Sequence, residues 1–147
     1  MTTYIVDIDG TVADNAHRQF ALTVNDGKPN WDLFFNLMGE DKPIPHMQQL
    51  LSDLHQYWTK FVYCTGRPER FRALTASWLD KHDFPNHGIY MRPDGDHRPD
   101  HIVKAEMLAE IRRDGWKPIM AFDDRDTVVK MWRENGVPCA QVAEGNF

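Results

Sequence analysis

The sequence predicts an α/β domain built on a mostly parallel sheet. Short apolar runs rich in β-branched residues alternate with longer segments whose apolar residues recur at helical spacing. The runs are apolar nearly throughout, as strands covered on both faces require. Acidic residues gather where those runs end, in TTYIVDID and PIMAFDD. In an open parallel sheet that end is where ligands bind.

TTYIVDID, residues 2–9, is the first predicted strand. The segment PHMQQLLSDLHQYW then places Met47, Leu50, Leu51, Leu54 and Trp58 on one helical face, with Pro45 in its first turn. KFVYCT is the second strand. RPERFRALTASWLDKHD is a helix with Pro68 near its start and Phe71, Leu74 and Trp78 aligned. GIYMR is a short strand. DHIVKAEMLAEIRRDG is a helix with Val103, Met107 and Ile111 in line and Gly115 as its stop. PIMAFDD is a strand, DTVVKMWRENG a helix closed by Gly136, and PCAQVA the last strand. Alternation of this kind implies βαβ units.

One connection is long. Residues 14–44 separate the first strand from the next helix and include the aromatic stretch NWDLFFNLMGEDKPIP. Trp31, Phe34 and Phe35 read as ordinary core, with a small lid or cap over the site as the alternative.

Composition narrows the classes. At 147 residues one domain is expected, spanning 1–147. With 41% hydrophobic and 27% charged residues the chain reads as globular, not as a disordered tail. No apolar run approaches a membrane span, and the N-terminus enters a strand with no leader pattern. Cys64 and Cys139 lack paired spacing and read as buried hydrophobes. A cytoplasmic setting is expected, the host cytosol if the chain is phage-encoded. The net charge of −5 argues against a broad nucleic-acid-coating surface but leaves room for a small cationic pocket.

Four groups of polar residues fall at predicted strand ends or helix starts. They are Asp7-Ile-Asp9-Gly10-Thr11, Thr65-Gly66-Arg67, Asp123-Asp124, and Lys104. Any one is explained by capping. Their convergence suggests a site where one carboxylate attacks phosphorus and another moves a proton. Gly10 lets the chain bend so that its neighbouring amides hold phosphoryl oxygens. Carboxylates meeting without a cation would repel, and Mg²⁺ with oxygen ligands suits them. HRPDH at 97–101 has an i, i+4 histidine pair, but a helix through Pro99 is needed to use it, so it is set aside as a zinc site.

DIDGT resembles the D-x-D-G-T signature of haloacid-dehalogenase-like (HAD) phosphotransferases, and Thr65, Lys104 and Asp123-Asp124 follow in that superfamily's order. The resemblance implies a Rossmann-like three-layer fold with a small cap after the first strand. It implies Asp7 as a nucleophile forming an aspartyl-phosphate and Asp9 as general acid, then base. It implies Gly10, Thr65, Gly66 and Lys104 on phosphoryl oxygens. Mg²⁺ would be held by Asp7, the Asp9 carbonyl and Asp124, with Asp123 close by.

FDDRDTVVKMWRENGVPCAQVAEGNF and DHIVK further resemble the 3′-phosphatase domain of bacteriophage polynucleotide kinase-phosphatases. That family implies substrate-binding roles for Arg18 and Arg67, and an Asp100 that can orient Lys104 one helical turn away. The implied substrate is a 3′-phosphorylated nucleic-acid end or nucleotide. No G-x-x-x-x-G-K-[ST] loop occurs, so no phosphate transfer from ATP is expected. Two rivals stay open. One is a nucleotidase or small phosphometabolite phosphatase with the same chemistry. The other is a non-catalytic module that binds nucleic-acid ends.

Overall fold

The computed structural model describes residues 1–147. Five parallel strands form the central sheet: β1 (Thr3–Val6), β4 (Lys60–Pro68), β5 (Ile89–Arg92), β6 (Pro118–Asp123) and β7 (Cys139–Gln141). Their spatial order is β5-β4-β1-β6-β7. Two residue pairs, β2 (Ala13–Asp14) and β3 (Lys42–Pro43), make a separate antiparallel ladder.

Alternation along the strands divides the core in two. Ile5, Val62, Cys64 and Ala121 face one side, beneath α4 (Asp100–Arg113) and α5 (Asp126–Glu134). Val6, Phe61, Tyr63 and Phe122 face the other, beneath α2 (Pro45–His55) and α3 (Arg72–Lys81). The result is the three-layer α/β/α arrangement expected from strands apolar on both faces. Chain order reverses at β1. From there the chain moves outward to β4 and β5, then returns to β6 and β7 on the other side. Asp7 and Asp123 lie side by side at this switch point, with the Asp7 amide donating to the Phe122 carbonyl at 3.0 Å.

Several predicted boundaries shift. The first strand stops at Val6, because residues 8–13 fold into a turn in which the amides of Thr11, Val12 and Ala13 all donate to the Ile8 carbonyl. The second helix ends at His55, so Trp58 is not on its apolar face. It lies past the helix at φ +63° and is 79% exposed. Periodicity continued through residues that a local turn removes from the helix. Arg67 and Pro68 belong to β4, whose pairing with β5 shifts register between Thr65 and Pro68, and α3 begins only at Arg72. Pro68 is tolerated because β4 has run past its pairing with β1, which ends at Tyr63. The helix at 100–113 starts after Pro99, so none runs through HRPDH.

The insert at 14–44 is compact. A 3₁₀ turn (Ala16–Leu22), α1 (Trp31–Asn36) and a second 3₁₀ turn (Met38–Glu40) are pinned at their base by the β2–β3 ladder. Asn30 caps α1 by accepting from the Leu33 amide at 3.0 Å. Phe34 and Met38 are buried, while Trp31 stays half exposed. Cys64 and Cys139 are both buried and free. No helix is long and apolar enough to cross a membrane.

Candidate active site

Asp7 leaves β1 at the carboxyl edge of the sheet and is almost fully buried. Thr11 Oγ1 donates to its Oδ2 at 2.8 Å, and Lys104 Nζ to its Oδ1 at 2.7 Å. Lys104 rises from the first turns of α4 and also donates to Asp123 Oδ2 at 3.0 Å. Asp123 Oδ2 accepts from Trp132 Nε1 as well, at 3.1 Å, and its Oδ1 accepts from the Asp124 amide at 2.9 Å. Carboxylate oxygens of Asp7, Asp123 and Asp124 lie within 4.8 Å of one another.

One ammonium thus faces three carboxylates. Burial, and then the neighbouring Asp123, push the Asp7 carboxyl well above the usual range despite Lys104. The same two causes raise Asp124 to about 6. Burial works against the charged form of Lys104, but Asp123 and Asp7 outweigh it and keep the amine protonated. The donor set is all oxygen and carries excess negative charge, which fits a hard divalent cation such as Mg²⁺. Gly10, at φ +81°, lets the chain pass close to this cluster. A Cβ there would meet Asp124 Oδ2 at 2.1 Å.

Asp9 faces the other way. Arg67 grips it edge-on, Nε to Oδ2 at 3.1 Å and Nη2 to Oδ1 at 2.8 Å. Arg18 Nη2 adds a bond to Oδ1 at 2.5 Å. Burial would raise the Asp9 carboxyl, but the Arg67 and Arg18 guanidiniums overcome it and hold it at about 2. Both arginines have fully buried side chains. They are therefore neither solvated surface residues nor open to a ligand in this structure. Their Nη2 nitrogens are taken up by carboxylates, and their Nη1 nitrogens by the Phe34 carbonyl and the Thr75 hydroxyl.

Thr65 ends the buried stretch of β4, and its hydroxyl accepts from the Arg67 amide at 3.2 Å. Gly66 lies against Asp100, whose Oδ1 would sit 2.7 Å from a Cβ at that position. Asp100 does not orient Lys104 by hydrogen bonding. Its oxygens are claimed by Arg92 Nη2, from the last residue of β5, and, at 2.8 Å, by Arg125 Nη1, from the residue before α5. Lys104 instead extends away from it to Asp7 and Asp123.

Sequence reasoning missed Asp41. It lies in the insert, its side chain is wholly buried, and it binds both Arg18 and Arg67. Trp132, Arg92 and Arg125 also join the site without a sequence prediction, and Thr11, grouped with the motif, gains a role as donor to Asp7. Arg125 directly follows the Asp123-Asp124 pair, a local signal that could have found it. Asp41 has no such signal. Every buried side-chain polar atom is hydrogen-bonded, so the whole constellation is internally satisfied.

The chain is similar to a protein of Autographa californica nuclear polyhedrosis virus named as a bifunctional polynucleotide kinase/RNA ligase. Identity is 28% over 138 residues, covering 91% of this chain and 18% of that protein. Among solved structures, a chain of the Pnkp1/Rnl/Hen1 complex superimposes with a TM-score of 0.84 at 27% identity, covering 99% of this chain and 47% of that one. This chain therefore spans less than half of either relative. A predicted phosphatase from Clostridium acetobutylicum shares the fold, with a TM-score of 0.71 at 18% identity over 94% of this chain and 82% of that one. The family model for the polynucleotide kinase PNKP phosphatase domain matches residues 1–147. With its motif carboxylates gathered at the switch point of a HAD-type sheet, the chain belongs to that family of phosphatase domains.

Proposed function

We propose that this phosphatase domain removes the 3′-phosphate from polynucleotide ends, through an aspartyl-phosphate on Asp7 and with Mg²⁺ bound. One observation carries the reading. The two carboxylates of DIDGT sit in opposite environments, Asp7 against Lys104 and two other acids, Asp9 against two guanidiniums. Groups with separated environments suit separate jobs.

In this reading an Asp7 oxygen attacks phosphorus, and the bond from phosphorus to the 3′ oxygen breaks. Asp9 gives that leaving oxygen a proton. Water then attacks the aspartyl-phosphate while Asp9 takes its proton, releasing phosphate and restoring Asp7. Lys104 and Thr65 hold phosphoryl oxygens where charge grows. Asp7, Asp124 and the Asp9 carbonyl would hold Mg²⁺, with Asp123 beside them. The cation would neutralise charge on the phosphoryl group. Because its arginines keep Asp9 an anion at rest, its acid role requires a proton to bind as the negative charge of the incoming phosphate arrives beside it.

The polynucleotide substrate is supported by the relatives, one named as a polynucleotide kinase/RNA ligase and others solved in an RNA repair complex. The test is phosphate release from a 3′-phosphorylated oligonucleotide, its 5′-phosphorylated twin and nucleoside monophosphates, each as DNA and RNA. The 3′ end should be strongly preferred. Equal rates on all would favour a general nucleotidase, and no release at all would favour a binding module.

A further inference from the structure

Asp41 uses all of its acceptors. Its Oδ1 accepts from Arg18 Nε at 2.9 Å and lies 2.7 Å from His17 Nε2. Its Oδ2 accepts from Arg18 Nη2 at 2.8 Å and from Arg67 Nη2 at 3.3 Å. Its main-chain carbonyl accepts from Trp78 Nε1 at 2.8 Å, which ties the insert to α3. Phe34 completes the enclosure, with its ring 4.3 Å below the Arg18 guanidinium and its carbonyl accepting from Nη1 at 3.3 Å.

The two arginines cross between the two carboxylates in a reciprocal pattern. Arg18 turns its Nε–Nη2 edge on Asp41 and spares one Nη2 hydrogen for Asp9. Arg67 turns its Nε–Nη2 edge on Asp9 and spares one Nη2 hydrogen for Asp41. Each carboxylate thereby receives one fork and one single bond. A guanidinium fork is planar and rigid, so fixing one edge fixes the direction of the remaining hydrogen. Without Asp41, Arg18 would be free to turn its edge on Asp9, and the Asp9 pose would no longer be set.

We propose that Asp41 is a positioning residue for phosphate removal: it fixes Arg18 and Arg67 so that they hold Asp9 in the pose that protonates the leaving oxygen. This rests on the reading of Asp9 as proton donor given above. The proton starts on Asp9 and ends on the departing 3′ oxygen, and Asp41 exchanges none. The plainer alternative is that Asp41 only balances buried charge and so affects folding alone.

The two differ in how rate depends on the leaving group. A 3′-phosphorylated oligonucleotide needs a proton on its departing oxygen. The same oligonucleotide with sulfur bridging the sugar and phosphorus does not, because a thiolate leaves unaided. Asp41→Asn should lower the single-turnover rate of leaving-group release, the step that precedes attack by water, about 10- to 100-fold on the oxygen substrate, part of what proton transfer supplies, with substrate affinity little changed. On the bridging-sulfur substrate it should change that rate by less than about 3-fold. Asp9→Asn should show the same selectivity, and the double variant should be no slower than Asp9→Asn alone.

Equal loss on both substrates, no loss on either, or additive losses would overturn the proposal. If Asp9→Asn is itself unselective, the failure lies in the reading of Asp9, and the proposal falls with it. If Asp41→Asn does not fold, Trp78→Phe removes the bond to the Asp41 carbonyl and some core volume beside Phe84 while leaving the Asp41 carboxylate in place. With its circular dichroism unchanged, it should show the same selectivity in smaller degree, and unselective kinetics would overturn the proposal.

Discussion

Asp7 and Asp9 share one short motif, yet they belong to two unlike halves of the site. The Asp7 half is built on the sheet and α4, and it sets one lysine against three carboxylates. The Asp9 half is closed by the insert, and it sets two guanidiniums against two carboxylates. The first is short of positive charge, and the second is balanced. A half that lacks cation has room for one from solution, whereas a half that is already neutral and fully bonded has none. The difference explains why buried carboxyls rise in the first half while Asp9 falls in the second. In the proposed mechanism it also separates cation binding from positioning along a few residues of chain.

The comparison is tested most severely by removing one carboxylate from each half. Asp7→Asn deletes the proposed nucleophile, and phosphate release from a 3′-phosphorylated oligonucleotide should fall by roughly 10⁴-fold or more. EDTA should do the same to the wild type, with Mg²⁺ restoring it. Full activity in EDTA would break the cation assignment. Asp9→Asn should cost less, roughly 10²- to 10⁴-fold, the usual worth of proton transfer. An Asp9 variant as dead as the Asp7 variant would mean that the two halves do not divide the work this way.

Charge balance itself can be probed by thermal unfolding. Lys104→Met strips the only ammonium from its half, and Arg67→Met strips a guanidinium from the other. Breaking a buried pair on one side costs about 3–5 kcal/mol, so both should lower Tm clearly. They should part when Mg²⁺ is added. The Lys104 variant leaves three uncompensated carboxylates and should regain more Tm than wild type gains. The Arg67 variant should gain only what wild type gains. Equal responses would show that the cation does not belong to the Asp7 half.

The Asp7 half was legible because its signals are local. Gly10 follows a β-branched run, Thr65 ends the apolar run of β4, Asp123 ends β6, and Lys104 lies in the first turns of a helix. The β/α alternation was legible for the same reason. The Asp9 half was not, because its partners are made by tertiary folding. Arg18 and Arg67 were named through a resemblance, but nothing near them shows that they are buried against carboxylates. Asp41 looks like any loop acid in GEDKP, since its burial depends on α3 and the insert meeting over it. Asp100 shows another limit. Helical spacing places it one turn before Lys104, but Arg92 at the end of β5 and Arg125 ahead of α5 take both of its oxygens. Spacing fixes which side chains share a helix face, but not which competitor reaches them first.

The smallest expected effect is also the most specific to the Asp7 half. Burial and Asp123 hold Asp124 at about 6 in the folded protein, whereas an unfolded Asp titrates at about 4. Between those values the folded state binds more protons than the unfolded state. Stability from this group is therefore present at low pH and lost as pH rises through about 6. His82 and His87 work in the opposite sense in part of this range, since burial lowers both, so wild type alone would blur the signal. Asp124→Asn removes the titration while leaving both histidines in place. In EDTA the variant should be more stable than wild type at pH 7.5, and the gap in Tm should shrink towards pH 5. Mg²⁺ should reverse the order at pH 7.5, because wild type gains a cation that the amide holds poorly. A gap independent of pH would mean that Asp124 carries no excess negative charge, and the contrast between the two halves would then rest on Asp7 and Asp123 alone.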